Sequence, residues 1–342
     1  MFTLDYAEFY ITNVCNLNCK KCNRFNNFYF KGHRLWETHR EQYLKWADLI
    51  DVKCIGILGG EPLLNPDFSN WLHGISELWP NSQIRVITNG TQITKFKNLY
   101  SLLTGFNNEV VLEINCHNLD VKNLYVQQIE QMLGKECEKE YVDCSNWKYW
   151  LKSYNAVKDE SWPECPTPDD FYALPIRIQE ECINLHNLSP EDIKLKQQQI
   201  ILKNSQLTVE IHPAASFNNS TLIYEDTTQT LSLHKSNPAK AMEACYFKKC
   251  HHFIDGKLYK CGPVGILPDF VKQFNVQRDQ DQDKLIQSYT PASPDWPTEK
   301  LSGFIDNLKN AIPIDQCSLC PEKMINHDFQ GTTDKIKLVR ID

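Results

Sequence analysis

The chain has 342 residues, enough to bury a sizeable core and to form about two domains. Its 36 Lys and Arg against 43 Asp and Glu give a formal charge of −7, which disfavours a nucleic-acid partner but leaves room for a local basic groove. The 14 cysteines fall short of the roughly 8–10% of a small disulfide scaffold.

Met1–Ala7 carries no basic export segment, and no apolar run approaches the ~18 residues of a membrane span. The expected setting is therefore cytoplasmic and reducing, away from membranes. Clustered cysteines there serve as metal ligands more often than as disulfides.

In chain order, Phe9–Val14, Cys54–Leu58, Gln83–Thr88 and Val110–Asn115 read as buried strands. Helices fit Trp36–Leu49, Pro66–Trp79, Thr94–Leu103 and Val121–Leu133. The second carries Phe68, Trp71, Leu72, Ile75, Leu78 and Trp79 on one stripe. Strands alternating with helices predict an α/β fold of parallel βα units, doubly wound or barrel-like.

Over 134–175 the pattern lapses, with Trp147, Trp150 and Trp162 among charges and prolines, as in an insertion or long loop. A helix should open at Ser189-Pro190, a strand should cover Leu207–His212, and Asn237-Pro238 should start a short helix. From Cys245 to Lys323 prolines and polar runs replace helical stripes, and five cysteines gather there. The expected division is 1–235, a small module over 236–325, and a tail over 326–342.

Cys15, Cys19 and Cys22 are spaced C-x3-C-x2-C just after the first predicted strand. Three thiolates on one loop suit an iron–sulfur cluster and leave one iron of a [4Fe–4S] cube open. A structural zinc ion would want a fourth ligand close by.

Farther on, Cys245, Cys261 and the pair Cys317-x2-Cys320 bracket Phe253–Tyr259, which reads as a hairpin turning at Asp255-Gly256. That hairpin would carry Cys261 back towards Cys245, and the late pair would complete four thiolates. Cys250 could stand in for Cys245, and four thiolates also fit zinc. His251 and His252 follow Cys250 as possible ligands, but read first as surface or packing residues. Cys54 reads as a small core hydrophobe, and Cys116 as a buried thiol before a catalytic one.

The first triad resembles the signature of the radical S-adenosylmethionine (SAM) superfamily, and the resemblance runs through the first domain. Gly59-Gly60-Glu61-Pro62 after the second strand looks like that family's GGEP motif, and Thr88-Asn89-Gly90-Thr91 like its turn after the third. Asn115 and His117 stand at the end of the fourth. Four motifs at successive strand ends match the active-site face of a barrel. The resemblance implies a partial (β/α)6 TIM-like barrel, with SAM on the open iron of the Cys15/Cys19/Cys22 cluster. Glu61 and the backbone of Gly59 and Gly60 would receive the methionine ammonium. Asn89 and Asn115 would be further polar contacts, and His117 a candidate for substrate contact or proton transfer. Lys21 stands where the family usually has an aromatic near the adenine, and Phe25 or Phe28 are candidates to replace it.

The second set looks like the auxiliary-cluster twitch module, the shorter relative of SPASM. That implies an auxiliary [4Fe–4S] cluster on Cys245, Cys261, Cys317 and Cys320. The implied activity is reductive cleavage of SAM to a 5′-deoxyadenosyl radical that abstracts hydrogen from a substrate. The substrate would be a small natural-product precursor or a peptide, and the electron donor a flavodoxin-type reductase. The alternatives are a two-cluster electron carrier or redox sensor, and a nucleic-acid-modifying radical SAM enzyme.

Overall fold

Alternation along Phe2–Tyr10 makes the first strand, β1, and puts two different surfaces on its faces. Ala7 and Phe9 point one way, where the Phe9 ring meets Tyr43, Trp71, Trp79 and Phe253 at 4.8–6.2 Å between centroids. Tyr6, Glu8 and Tyr10 point the other way. The structure, a computed structural model, describes residues 1–19, 21–143, 198–214, 216–218, 220–225, 227–323 and 325–328.

β1 ends before the expected Phe9–Val14 does. Thr12, Asn13 and Val14 leave the ladder because their backbone groups bond elsewhere, to Gly60, Gly32 and Glu61. α1 (Trp36–Leu49), β2 (Ile50–Leu58), α2 (Phe68–Leu78) and β3 (Gln83–Thr88) follow. β1 pairs in parallel with β2, and β2 with β3, so βα alternation holds over these strands. α3 (Leu99–Leu103) is shorter than the expected Thr94–Leu103, because Asn98 takes a left-handed φ of 61° just before it. β4 (Val110–Cys116) and α4 (Lys122–Leu133) complete this stretch.

Contacts divide the chain into two compact units, Met1–Glu113 with Ser216–Asp342, and Ile114–Ala215. In the second, α4 buries Tyr125, Val126, Ile129 and Leu133 and packs against β6 (Gln198–Lys203) and β7 (Thr208–Pro213). β6 pairs antiparallel with both β5 (Glu138–Asp143) and β7, a departure from βα alternation. The Asn204 side chain accepts from Gln206 N–H and Leu207 N–H, making the tight turn that reverses β6 into β7. Trp147, Trp150, Trp162 and the helix expected at Ser189 lie outside the described residues.

The first unit also holds β8 (Ser216–Asn218), β9 (Leu222–Glu225), β10 (Thr230–Leu233), α5 (Pro238–Ala244), β11 (His251–Ile254) and β12 (Lys257–Tyr259). α6 (Gly262–Gln273), β13 (Val276–Gln277), α7 (Gln280–Ser288), α8 (Thr298–Lys309) and β14 (Asn326–Asp328) follow. Asn237 caps α5 through its side chain, with Pro238 at the first helical position, as expected.

The expected hairpin is β11–β12. Asp255 and Gly256 take φ of 50° and 73°, the paired positive values of a type I′ turn. β11 lies parallel beside β1, with His252 opposite Glu8 and Phe253 opposite Phe9. Trp46 Nε1 donates to Gly256 O at 2.9 Å, Gly256 N–H donates to Tyr43 OH, and Arg34 bonds Asp255 and Asp269. The C-terminal region thus shares a sheet and a core with the N-terminal strands. Phe25, Phe28 and Phe30 pack with Phe270, Phe274, Leu231 and Val276 in that core. No helix among the described residues is long and apolar enough to cross a membrane.

Candidate functional site

The site begins where β1 stops. Gly60 N–H donates to Thr12 O at 2.7 Å and Glu61 N–H to Val14 O at 2.8 Å, so the loop after β2 lies directly on the segment leading to Cys15. A Cβ at Gly59 would meet Thr12 O at 2.5 Å, and one at Gly60 would collide with Val14 O. Both glycines are set by backbone approach. Gly60→Ala is expected to cost on the order of 1–3 kcal/mol and to lower iron uptake, read by thermal melts and iron counting on the same sample.

Cys15 and Cys22 are half-buried and Cys19 is buried. Cys22 N–H donates to Cys19 O at 3.1 Å, closing a turn in which Lys21 takes φ of 68°. Asn89 Nδ2 reaches the Cys15 thiol at 3.8 Å and Asn16 Oδ1 at 3.0 Å, and Asn16 Nδ2 donates to Thr91. The turn after β3 is therefore bonded to the cysteine loop.

Glu61 joins the third piece. Its carboxylate accepts from Leu63 N–H at 3.1 Å, Thr88 OH at 2.7 Å and Asn89 N–H at 2.7 Å, and the residue is fully buried. Burial pushes this carboxyl up to about 7, against the pull of the three hydrogen bonds, and no cationic side chain contributes.

A folded value above the usual 4.5 means the fold binds a proton more tightly than the unfolded chain. This contribution is full below about pH 4.5 and lost as pH rises through about 7. Glu61→Gln should flatten that part of the stability–pH curve in thermal melts. An unchanged slope would remove Glu61 as its source.

Phe25 and Phe28 do not stand in for the missing aromatic at Lys21. They are 0% and 1% exposed, with rings against Phe270 at 5.1 and 5.5 Å. The core has absorbed them, and neither presents a face to a ligand.

Residues 9–144 match the family model described as the Radical SAM superfamily. This stretch is a radical SAM domain. Among curated proteins, the GTP 3′,8-cyclase of Alkaliphilus metalliredigens is 29% identical over 28% of this chain and 30% of its own length. That of Aquifex aeolicus is 32% identical over 23% of this chain and 26% of its own. The chain therefore spans less than a third of these relatives. Among solved structures, Streptococcus suis SuiB bound to S-adenosylmethionine is similar at 22% identity and a TM-score of 0.30, over 35% of this chain and 27% of that one.

The radical SAM domain thus holds the Cys15, Cys19 and Cys22 loop together with Gly59, Gly60, Glu61 and Asn89. Asn115 and His117 belong to the second unit, at the end of β4 and just beyond it. His117 Nδ1 lies 2.9 Å from Ala214 O and must carry the proton there, since a carbonyl only accepts. Burial lowers its pKa, favouring the neutral ring. Cys116 is fully buried, its thiol donates to Asn118 O, and burial pushes it up to about 12, which leaves an inert thiol.

Beyond the radical SAM domain, Cys245 follows α5, Cys261 caps α6, and Cys317 and Cys320 lie on and just after the 3₁₀ turn Asp315–Leu319. The four thiols are within electrostatic reach of one another. Burial raises all four, Cys320 to about 12, and the neighbouring thiolates add to the rise at Cys245, Cys261 and Cys320. Such thiols ionise only with strong positive charge among them, which a metal centre supplies. Cys250 feels Cys261 as well, but its thiol bonds Glu8. That favours Cys245 for the fourth corner.

Sequence reasoning missed a buried polar cluster on the inner face of β1. Glu8 accepts from Tyr6 OH at 2.9 Å and pairs with Arg24 at 2.9 Å and His252 Nε2 at 2.6 Å, with the Cys250 thiol also bonded. Burial pushes the Glu8 carboxyl up, but His252 and Arg24 outweigh it and hold the group well below the usual carboxylate range. Glu8, Cys250 and His252 have metal-ligand spacing. Both Glu8 oxygens are already engaged by protein donors, and a guanidinium beside them opposes a cation. The alternation of Tyr6, Glu8 and Tyr10 opposite Ala7 and Phe9 was the one available signal.

Proposed function

We propose that the chain is a radical SAM enzyme with a cluster on Cys15, Cys19 and Cys22 and an auxiliary cluster on Cys245, Cys261, Cys317 and Cys320. What carries the reading is the hydrogen-bonded union of three motifs, since the cysteine loop, the Gly-Gly-Glu loop and the Asn89 turn hold one another. Three thiols on one loop fit a four-iron cluster with an open iron. A buried carboxyl with no cationic partner fits an ammonium, which would relieve the burial penalty at Glu61.

Bound there, the cluster and SAM would supply reductive carbon–sulfur cleavage and radical hydrogen abstraction. The chain's own part is positional. Glu61 holds the loop after β2 against the turn after β3, Asn89 fixes Cys15 and Asn16, and Gly59 and Gly60 let the backbone carbonyls approach. The partial barrel remains the architecture proposed for 1–235, with 236–325 as the auxiliary-cluster module. A flavodoxin-type donor would supply the electron. Between a small molecule and a peptide, the nucleotide named in the curated relatives supports the small molecule.

The test is anaerobic reconstitution with iron and sulfide, then dithionite and SAM. The reading expects 5′-deoxyadenosine and methionine. A well-formed cluster that releases neither would leave an electron carrier as the better description.

A further inference from the structure

Lys260 is 4% exposed, and its ammonium is buried without a hydrogen-bond partner among the described residues. Burial lowers its pKa, and Cys261, Cys317 and Cys245, three of the four thiols of the C-terminal set, lie within electrostatic reach and act against that fall when ionised. The backbone on either side of the side chain is fixed. Lys260 N–H donates to Tyr289 OH at 2.9 Å, and Lys260 O lies 2.8 Å from His251 Nδ1. The side chain thus starts from a fixed backbone immediately before Cys261.

A buried ammonium without an anion is among the least favourable arrangements in a fold. Neutral thiols are weak acceptors and do not compensate it. Four thiolates around a [4Fe–4S] core carry a net negative charge in the oxidised state and one more in the reduced state. We infer that Lys260 is the counter-charge of an anionic iron–sulfur–thiolate centre at Cys245, Cys261, Cys317 and Cys320, and that it raises the reduction potential of that centre. A fixed cation stabilises the more negative, reduced state more strongly. Lys260 is here a positioning residue, acting through the ligands and not on a substrate. The inference rests on the auxiliary-cluster reading.

The test uses the full chain carrying Cys15→Ala, Cys19→Ala and Cys22→Ala, so that only the second site holds iron. Lys260→Met and Lys260→Arg are then made in that background. Each protein is reconstituted anaerobically, its iron, sulfide and zinc are counted, and the cluster is titrated with dithionite while its paramagnetic signal is followed.

In Lys260→Met the reduced-to-oxidised ratio at a fixed potential is expected to fall at least tenfold, about 59 mV for one electron. Lys260→Arg should recover most of the loss. A Met variant with the parent midpoint overturns the assignment, as does a shift that Arg leaves uncorrected. If the Met variant retains no cluster, an Arg variant that retains it supports the role of charge, and one that does not overturns it. A parent holding zinc or no metal overturns the auxiliary-cluster reading and the Lys260 assignment with it. A normal cluster with an unmoved midpoint overturns the Lys260 assignment alone.

Discussion

Replacing Cys15, Cys19 and Cys22 together with alanine should abolish SAM cleavage and lower reconstituted iron from about eight to about four per chain, as two four-iron clusters require. The effect should be complete because the three thiols share one loop whose turn is closed by the Cys22-to-Cys19 backbone bond. Fold stability should change little. The loop's anchors are the Thr12 and Val14 carbonyls and the Phe25, Phe28 and Phe30 side chains, none of which the substitutions touch. Iron counting and product chromatography on one preparation decide the point. If iron falls to zero, the C-terminal cysteines hold none, and the two-cluster model fails.

Glu8→Ala should be the most damaging single change away from the cysteines. It leaves the Arg24 guanidinium and the His252 ring facing each other in a site where Glu8 is 4% and His252 2% exposed. Removing one partner of a buried ion pair costs about 3–5 kcal/mol. Denaturant melts should show the loss in full. Glu8→Gln keeps the shape and should lose less.

The same carboxylate sets an acid limit. Its pKa is lowered on folding, so its contribution is present above the usual carboxylate value of 4.5 and fades as pH falls below it. A Glu8→Ala protein as stable as the parent would refute the network's role.

Periodicity made β3 and α2 legible, because a six-residue alternating strand and a 3.6-residue aromatic stripe leave few alternatives. Punctuation made others legible. Asn237-Pro238 starts a helix and Asp255-Gly256 turns a hairpin through local chemistry alone. The motif cysteines, Gly59-Gly60-Glu61 and Asn89 could be found for the same reason, since each motif is short and contiguous.

The Glu8, Arg24 and His252 network was not legible. Glu8 and Arg24 alone read as solvated charges and His252 as a surface or packing residue, and the parallel pairing of β11 with β1 is what sets His252 opposite Glu8. Phe25 and Phe28 misled because aromatic residues near a cofactor loop look alike whether they stack on a ligand or on a core. The end of β1 was misplaced because Ile11–Val14 is apolar enough for a strand, while its backbone bonds serve the neighbouring loop.

The placement of β11 also bears on how the chain is made. β1 leaves the ribosome well before one of its two neighbours, β11, because residues 11–250 lie between them. Until β11 emerges, β1 presents an open row of N–H and C=O groups, and Phe9 lacks its Phe253 neighbour, which makes a template for pairing with other chains. Such long-range closure is slow. Expression should therefore depend on chaperone supply more steeply than the stability of the finished fold would suggest. A chain cut before His251 should collect in inclusion bodies even with every ligand of its first cluster intact.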